Sequence, residues 1–185
     1  MCTGIARSCP VFDAVNTRDA VTLMMQGYTT HYLTHSAFAL APGHTVLLHA
    51  GAGGVGQLLI QIAKLHGATV ITTAGNAEKA AIVRARGADH SVLYRETDFR
   101  EAIMAITSGP SVDVVFDAIG RDTIAKSIRS LKKRGLCVNY GGASGLVVSI
   151  EPLELAEAGL EDLVVEEHLH RLGAAALGVH VLERV

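Results

Sequence analysis

The sequence predicts an α/β fold in which a doubly wound parallel sheet forms a Rossmann-type dinucleotide-binding domain. The first observation is that short apolar segments alternate with segments of helical periodicity, as in a parallel sheet covered on both faces. The second is a glycine pattern. Gly51, Gly53 and Gly56 follow the first apolar segment with G-x-G-x-x-G spacing, and an apolar helical pattern comes directly afterwards.

Each glycine of this pattern has a physical role in a dinucleotide-binding turn. We expect Gly51 to make the tight turn, Gly53 to let a pyrophosphate approach the backbone, and Gly56 to let the helix lie close to its strand. The first N–H groups of that helix then face the phosphate charge. An ordinary βα turn with no ligand is the alternative interpretation.

The remaining elements follow in order along the chain. A first helix is predicted over residues 13–36, with Thr17 as its cap, and Pro42-Gly43 marks the turn into the sheet. Asn76 and Thr97 are predicted caps, and Gly87 ends the helix that Asn76 begins. The predicted strands cover 45–49, 68–73, 90–94, 112–116 and 136–140, and the predicted helices between them cover 55–65, 76–86, 99–107 and 122–133.

The pattern is weaker after the fifth strand. A glycine-rich turn at 141–145 lies where a strand ends and a ligand would bind, a helix is predicted from Pro152 to about Leu172, and a last strand over 179–182. We therefore divide the chain into a disordered or remnant N-terminus (1–12), the dinucleotide-binding domain (13–158) and a divergent tail (159–185).

Composition excludes several classes of function. The net charge is −2 with acids and bases interspersed, which argues against nucleic acid and anionic membranes as partners. The three cysteines form no C-x-x-C pair, so a reduced, cytoplasmic setting is predicted. His31 and His35 lie on one helical face, but without a third ligand nearby the prediction is that the protein has no metal site.

The end of the second strand indicates which dinucleotide is bound. An NAD-binding domain usually has an acidic residue there to hold the ribose 2′-hydroxyl. Here the sequence reads Thr73-Ala74-Gly75-Asn76, with Lys79 in the first turn of the next helix. A missing carboxylate and a nearby ammonium group favour a 2′-phosphate, so NADPH is the predicted cofactor. A solvated surface lysine is the alternative for Lys79.

Several motifs occur together in order: residues 26–33 (QGYTTHYL), 49–56 (HAGAGGVG), 73–75 (TAG) with Lys79, 93–96 (LYRE), 115–120 (VFDAIG), and 134–136 (RGL) leading to 141–145 (GGASG). With these motifs the chain resembles the quinone oxidoreductase (zeta-crystallin-like) branch of the zinc-independent medium-chain dehydrogenase/reductase superfamily. The resemblance covers roughly residues 10–158.

The resemblance implies roles for particular residues. Gly53, Gly54 and Val55 would meet the pyrophosphate, while Gly75, Lys79 and Tyr94 would surround the 2′-phosphate. The nicotinamide would be bordered by Thr29 and by the turn formed by Gly141, Gly142 and Ala143. The implied activity is metal-free transfer of reducing equivalents from NADPH to a small-molecule quinone, in a homodimer. No catalytic residue is identified.

The resemblance also implies that a GroES-like catalytic domain would precede residue 10, so this sequence reads as a truncated or alternatively spliced product. Such a chain is expected to bind NADPH and to reduce quinone poorly, because that domain walls the substrate cleft. Two alternatives remain: an enoyl reductase of the same superfamily, and a non-catalytic NADPH-binding module.

Overall fold

The structure, a computed structural model, describes residues 14–109, 112–145 and 147, together with two short strands nearer the C-terminus. The helices are α1 (Thr17–Tyr32), which continues as a π-helical turn (Leu33–Ala37), α2 (Gly54–Leu65), α3 (Ala77–Ala85), α4 (Phe99–Thr107) and α5 (Ile124–Ile128). The strands are β1 (Thr45–Leu48), β2 (Thr69–Ala74), β3 (His90–Leu93), β4 (Val112–Asp117), β5 (Leu131–Asn139), β6 (Val164–Val165) and β7 (His180–Val181).

The strands form one sheet in the order β3-β2-β1-β4-β5-β6-β7. All neighbouring pairs from β3 to β6 are parallel, and β7 pairs with β6 in the antiparallel direction. Strands β2 and β3 lie on one side of β1 in the sheet, and the next strand along the chain, β4, lies on the other side. The strand order therefore reverses between β1 and β4, and a crevice forms at the carboxyl ends of these strands.

Two apolar layers cover the sheet, one on each face. Alternate residues of β1 enter opposite layers: Val46 and Leu48 face one, and Leu47 faces the other. The first layer contains Leu59 and Ile60 of α2 and Val83 of α3, and the second contains Phe99 and Ile103 of α4 and Ile124 and Ile128 of α5. Helices on both faces of a parallel sheet confirm the predicted doubly wound fold.

Two predicted helix caps were wrong by one residue each. Asn16, rather than Thr17, caps α1, because its extended backbone lets the side-chain oxygen accept the N–H of Asp19 at 2.9 Å. Asp98, rather than Thr97, caps α4 in the same way and accepts the N–H of Arg100 at 2.9 Å. The predicted cap at Asn76 is confirmed, since its side chain accepts the N–H of Lys79 at 2.8 Å.

The predicted helix over 122–133 was too long, because α5 ends at Ile128 and β5 begins at Leu131. Leu131 pairs with Val112, and the register shifts before Leu136 pairs with Val114. Arg134 has a φ of 66°, so the exposed Lys132–Arg134 segment forms an irregularity in the strand. Pairing with β4 overrides the helix propensity of these basic residues.

The helix predicted from Pro152 to Leu172 is wrong at Val164 and Val165, which form β6 against Val138 and Asn139. Two adjacent β-branched residues suit a strand better than a helix. The predicted last strand is confirmed at His180–Val181. The rest of that helix, the N-terminal 1–12 segment and the ends of the last strand lie outside the described residues. Within the part that the structure describes, no helix has the length and apolarity needed to cross a membrane.

Candidate functional site

A cleft of about 580 Å³ opens at the carboxyl ends of β1, β2 and β4, where the strand order reverses. It brings together five of the predicted site residues: Gly53, Gly75, Lys79, Tyr94 and Ala143. Residues that were not predicted as site residues complete its walls, among them His49, Thr73, Asp98, Phe99, Ile119, Asp122, Thr123, Lys126 and Ser144.

The glycine turn between β1 and α2 has no space for side chains on its inner side. A Cβ at Gly51 would lie 2.2 Å from Thr72 Oγ1, and one at Gly56 would lie 2.5 Å from the carbonyl oxygen of Ala50. Ala50 itself has a φ of 56°, which is uncommon for a residue with a side chain. These close contacts hold the start of α2 against the end of β1.

The turn is open at Gly53, whereas the side chain of Gln26 packs against Gly54. Gly53 is exposed, and a Cβ there would meet only the carbonyl oxygen of Ala50 at 3.2 Å. Gly53 is also the N-cap of α2, and no side chain of a described residue caps this helix. The N–H groups of Gly54 and Val55 thus lie at an uncapped helix N-terminus beside the cleft, an arrangement that attracts an anion.

The end of β2 provides a second anion-binding feature. Gly75 follows the strand, and a Cβ at this position would lie 3.1 Å from the hydroxyl oxygen of Tyr94. Lys79, in the first turn of α3, is exposed and borders the same part of the cleft. The segment from Thr73 to Asn76 contains no acidic residue. The region therefore presents an ammonium group and a phenol but lacks the carboxylate that would repel a phosphate.

The loops that follow β4 and β5 form the opposite wall. The N–H of Ala143 donates to the carbonyl oxygen of Ala118 at 3.2 Å, and the N–H of Ser144 donates to that of Ile119 at 2.9 Å. A Cβ at Gly141 would lie 2.8 Å from the carbonyl oxygen of Ala118, so glycine allows the two loops to pack closely. Ala143 and Ser144 are thereby held at the cleft.

Other predicted site residues lie around the cleft rather than on its lining. Gly51 and Gly56 are buried behind the glycine turn, and Gly54 and Val55 begin α2. Gly141 and Gly142 belong to the loop that carries Ala143. Thr29 lies on α1, where its hydroxyl donates to the carbonyl oxygen of Met25 at 2.9 Å, and it does not border this cleft.

A buried polar network lies behind the cleft. His49 directly follows β1, with Nδ1 2.9 Å from Thr73 Oγ1 and Nε2 2.9 Å from Ser127 Oγ. The carboxylate of Asp117, at the end of β4, accepts hydrogen bonds from Ser127 and Thr123. The motifs quoted above contain His49, Thr73 and Asp117, but no sequence signal indicated that these side chains form one network. Burial lowers the pKa of His49, and the negative charge of Asp117 opposes that shift.

An ion pair borders the far side of the cleft. Lys126 of α5 pairs with Asp98, and its ammonium nitrogen lies 5.8 Å from the ring centroid of Phe99. The hydrogen bond from Lys126 lowers the pKa of the Asp98 carboxyl, together with backbone N–H donors at the start of α4. The charge of Lys126 is thus largely balanced by its neighbour.

No group of three or more His, Cys, Asp or Glu side chains in the described part of the chain could hold a metal ion. The rings of His31 and His35 are stacked with centroids 4.2 Å apart. His35 Nδ1 lies 2.9 Å from Thr34 Oγ1 and 3.0 Å from the carbonyl oxygen of His31, so this nitrogen already has local partners.

Comparison with known proteins supports the same interpretation of the fold. The family model described as "Zinc-binding dehydrogenase" matches residues 54–166, which is more than half of the chain. The chain belongs to this family. It is 45% identical over 132 residues to the 2-haloacrylate reductase of Burkholderia sp., covering 71% of this chain and 40% of that protein. It is 39% identical over 137 residues to quinone oxidoreductase 1 of Escherichia coli, covering 74% of this chain and 42% of that protein.

The fold also matches solved structures of this group. The crystal structure of Escherichia coli quinone oxidoreductase complexed with NADPH superposes with a TM-score of 0.81 and 36% identity, over 85% of this chain and 48% of that one. These similarities place the chain in the quinone oxidoreductase branch of the medium-chain dehydrogenases/reductases. The chain spans less than half the length of each of these relatives.

The buried His49 predicts a dependence of stability on pH. Its pKa is lowered in the folded state, so below the unfolded-state value of 6.5 the unfolded chain binds a proton that the folded chain does not. The free energy of unfolding should therefore fall as the pH decreases from 6.5 to the folded-state pKa, by at most about 1.4 kcal/mol per pH unit. Urea unfolding of the wild type and His49→Gln at a series of pH values from neutral to acidic should show a flatter profile in the variant.

A His31→Gln variant controls for the replacement of a histidine as such, because His31 is exposed on α1. Parallel pH profiles for wild type and His49→Gln would contradict the assignment of His49 as a buried neutral histidine.

Proposed function

We propose that this chain binds NADPH in the cleft and forms the cofactor domain of an NADPH-dependent oxidoreductase that passes reducing equivalents to a quinone. One observation carries the proposal: the glycine turn that begins α2, a helix with no side-chain cap from a described residue, borders the same cleft as Lys79 and Tyr94 beside the acid-free end of β2. Two anion-binding features in one cleft suit a dinucleotide with both a pyrophosphate and a 2′-phosphate.

The residues present fit this cofactor. The open space above Gly53 and the N–H groups that begin α2 suit a pyrophosphate, because added side-chain atoms at Gly53 would fill that space. Gly75, Lys79 and Tyr94 would surround the 2′-phosphate. Thr29 and the turn from Gly141 to Ala143 are proposed to border the nicotinamide. When bound, NADPH would supply a hydride from its reduced nicotinamide ring.

The nature of the acceptor rests on the named relatives. Quinone oxidoreductases recur among the similar proteins, which supports a quinone. The 45% identity to a 2-haloacrylate reductase favours a second candidate, an electron-poor carbon–carbon double bond, which would also be the acceptor of an enoyl reductase. Both acceptors take a hydride at an electron-poor carbon, so the cleft as described is compatible with either.

Replacement of Lys79 should reduce the preference for NADPH over NADH. Lys79→Ala removes one charge-assisted contact to the 2′-phosphate, which is worth about 1.5–3 kcal/mol. We expect NADPH to bind roughly 10- to 150-fold more weakly, while NADH affinity stays nearly constant. Nicotinamide fluorescence titration of both cofactors measures the two dissociation constants.

Lys133→Ala is the matched control, because Lys133 is an exposed lysine on β5 that does not border the cleft. This variant should keep the wild-type preference. Equal affinities of the wild-type chain for NADPH and NADH would contradict the proposed 2′-phosphate site.

Replacement of Gly53 should separate binding from folding. The φ of Gly53 is −74°, a value that residues with side chains adopt, and the position is exposed. Gly53→Val should therefore fold, after a small adjustment against the carbonyl oxygen of Ala50, yet lose NADPH binding because its methyl groups fill the pyrophosphate space. Circular dichroism checks the fold, and unchanged NADPH affinity in a folded variant would count against the phosphate-binding turn.

An acceptor panel tests the reaction itself. NADPH oxidation by the full chain is followed as loss of the reduced-nicotinamide absorbance with 1,4-benzoquinone, 2-chloroacrylate and crotonyl thioester, each against free NADPH and the Gly53→Val variant. Fastest oxidation with the quinone supports the proposal, and fastest oxidation with either alkene favours the second candidate. NADPH binding without oxidation by any acceptor would agree with the poor turnover expected of this chain alone, whereas absence of NADPH binding would overturn the proposal.

A further inference from the structure

A continuous chain of hydrogen bonds runs from the cleft wall into the protein interior. Thr73 of β2 contacts His49 Nδ1 at 2.9 Å, His49 Nε2 contacts Ser127 Oγ of α5 at 2.9 Å, and Ser127 Oγ contacts Asp117 Oδ2 at 3.1 Å. Thr73 is 4% exposed, His49 is 1% exposed, and Ser127 and Asp117 are fully buried. Among these residues, only Thr73 and His49 border the cleft.

Asp117 determines which atom donates in each hydrogen bond of this series. Its Oδ1 accepts the backbone N–H groups of Ile119 at 2.8 Å and Gly120 at 3.0 Å, and its Oδ2 accepts the hydroxyl of Thr123 at 2.7 Å. Such donors stabilise an ionised carboxylate, which can only accept hydrogen bonds. The Ser127 hydroxyl therefore donates towards Asp117 Oδ2, since a hydrogen bond to a charged acceptor is stronger than one to neutral imidazole.

Ser127 has a second possible acceptor, and donation to it also leaves the hydrogen of His49 on Nε2. The carbonyl oxygen of Thr123 lies 2.9 Å from Ser127 Oγ, and donation to that oxygen also directs the hydroxyl hydrogen away from the imidazole. In both cases a lone pair of Ser127 Oγ faces His49 Nε2. The hydrogen of the neutral ring must then lie on Nε2.

The tautomer of His49 determines what Thr73 can offer to a ligand. With the hydrogen on Nε2, Nδ1 is an acceptor, and the Thr73 hydroxyl donates its hydrogen to it. Burial keeps the ring neutral by lowering the pKa of His49. The hydrogen of Thr73 is then engaged inside the protein, and the Oγ1 of this cleft-bordering residue keeps its lone pairs as acceptors.

We propose that His49 is a positioning residue whose Nε2–H tautomer fixes the Thr73 hydroxyl as an acceptor, so that this point of the cleft binds a ribose hydroxyl of the cofactor. The inference rests on the proposed binding of NADPH. In NAD-binding domains, an acid at the end of the second strand accepts a ribose hydroxyl. Here Ala74-Gly75 stands at that place without an acid, and the neighbouring Thr73 borders the cleft as a neutral acceptor.

The neutral acceptor at Thr73 disfavours the binding of a phosphate beside it. Lone pairs at Thr73 repel phosphate oxygens, which are largely deprotonated at neutral pH and act mainly as acceptors. The phosphates are therefore directed to Lys79 and to the glycine turn. Because the 2′-oxygen of NADPH carries the phosphate, the 3′-hydroxyl is the ribose donor that remains for Thr73.

The tautomer can be tested without any nucleotide. Long-range ¹H–¹⁵N spectra of the free, ¹⁵N-labelled chain should show a protonated Nε2 and an unprotonated, acceptor-type Nδ1 for His49. Ser127→Ala removes the lone pair that holds Nε2–H, and the spectrum of this variant should shift towards the Nδ1–H form. A dominant Nδ1–H tautomer in the wild type would overturn the proposal, whether or not NADPH binds.

The ligand contact is tested with 2′-phosphoadenosine 5′-phosphate and its 3′-deoxy analogue. The wild-type chain should bind the 3′-hydroxyl ligand roughly 3- to 10-fold more tightly than the analogue, as expected for one neutral hydrogen bond. Thr73→Val should lose this difference, and Thr73→Ser should keep it because the hydroxyl is retained. Isothermal titration calorimetry measures each affinity.

The outcomes separate the two proposals. Failure of the wild type to bind either ligand, with the predicted tautomer present, would reject the cofactor and with it the assigned role of Thr73. Equal affinities of the wild type for both ligands would reject the ribose contact alone, and this arm requires no variant to fold. Equal losses for both ligands on Thr73→Val would likewise reject the 3′-hydroxyl as the partner of Thr73.

Discussion

The close approach of α2 to the end of β1 is the constraint on which the rest of the site depends. A Cβ at Gly56 would lie 2.5 Å from the carbonyl oxygen of Ala50, and one at Gly51 would lie 2.2 Å from Thr72 Oγ1. The turn is therefore packed against β2 on its inner side, while Gly53 on its outer side stays exposed. The same packing that joins helix to sheet leaves the first N–H groups of α2 uncapped beside the cleft, so the site is a direct result of how the fold closes at this point.

Asp117 connects this turn to the opposite side of the sheet. Its carboxylate accepts backbone N–H groups from the loop after β4 and hydroxyl groups from Thr123 and Ser127 near α5. Through Ser127 it reaches His49, the residue that begins the glycine turn. A buried carboxylate requires such donors, because an unpaired charge in the interior is very unfavourable. The need to satisfy Asp117 thus holds β1, β4 and α5 in a fixed relation around the cleft.

The sequence predicted the repeating part of the structure and missed the parts that depend on distant contacts. Apolar periodicity located β1–β4 and α2–α4 within a few residues, because each element buries a face that its own sequence defines. It did not locate the start of β5, since Leu131 becomes a strand residue only by pairing with Val112. The same contrast between local and distant contacts applies to the site residues. Gly53, Gly75 and Lys79 belong to local motifs, whereas Ser127 reaches His49 only through the packing of α5 on the sheet.

The two lysines of the cleft differ in how their charges are balanced. Lys126 pairs with Asp98, whose carboxylate also caps α4, so its positive charge is opposed before any ligand arrives. No ion pair joins Lys79 to another described residue, and Lys79 stands beside a strand end that lacks an acid. A phosphate that enters the cleft meets an unopposed ammonium group on the β2 side and a neutralised one on the α5 side. Since charge attraction acts over several ångströms, this asymmetry would orient the proposed dinucleotide before its hydrogen bonds form.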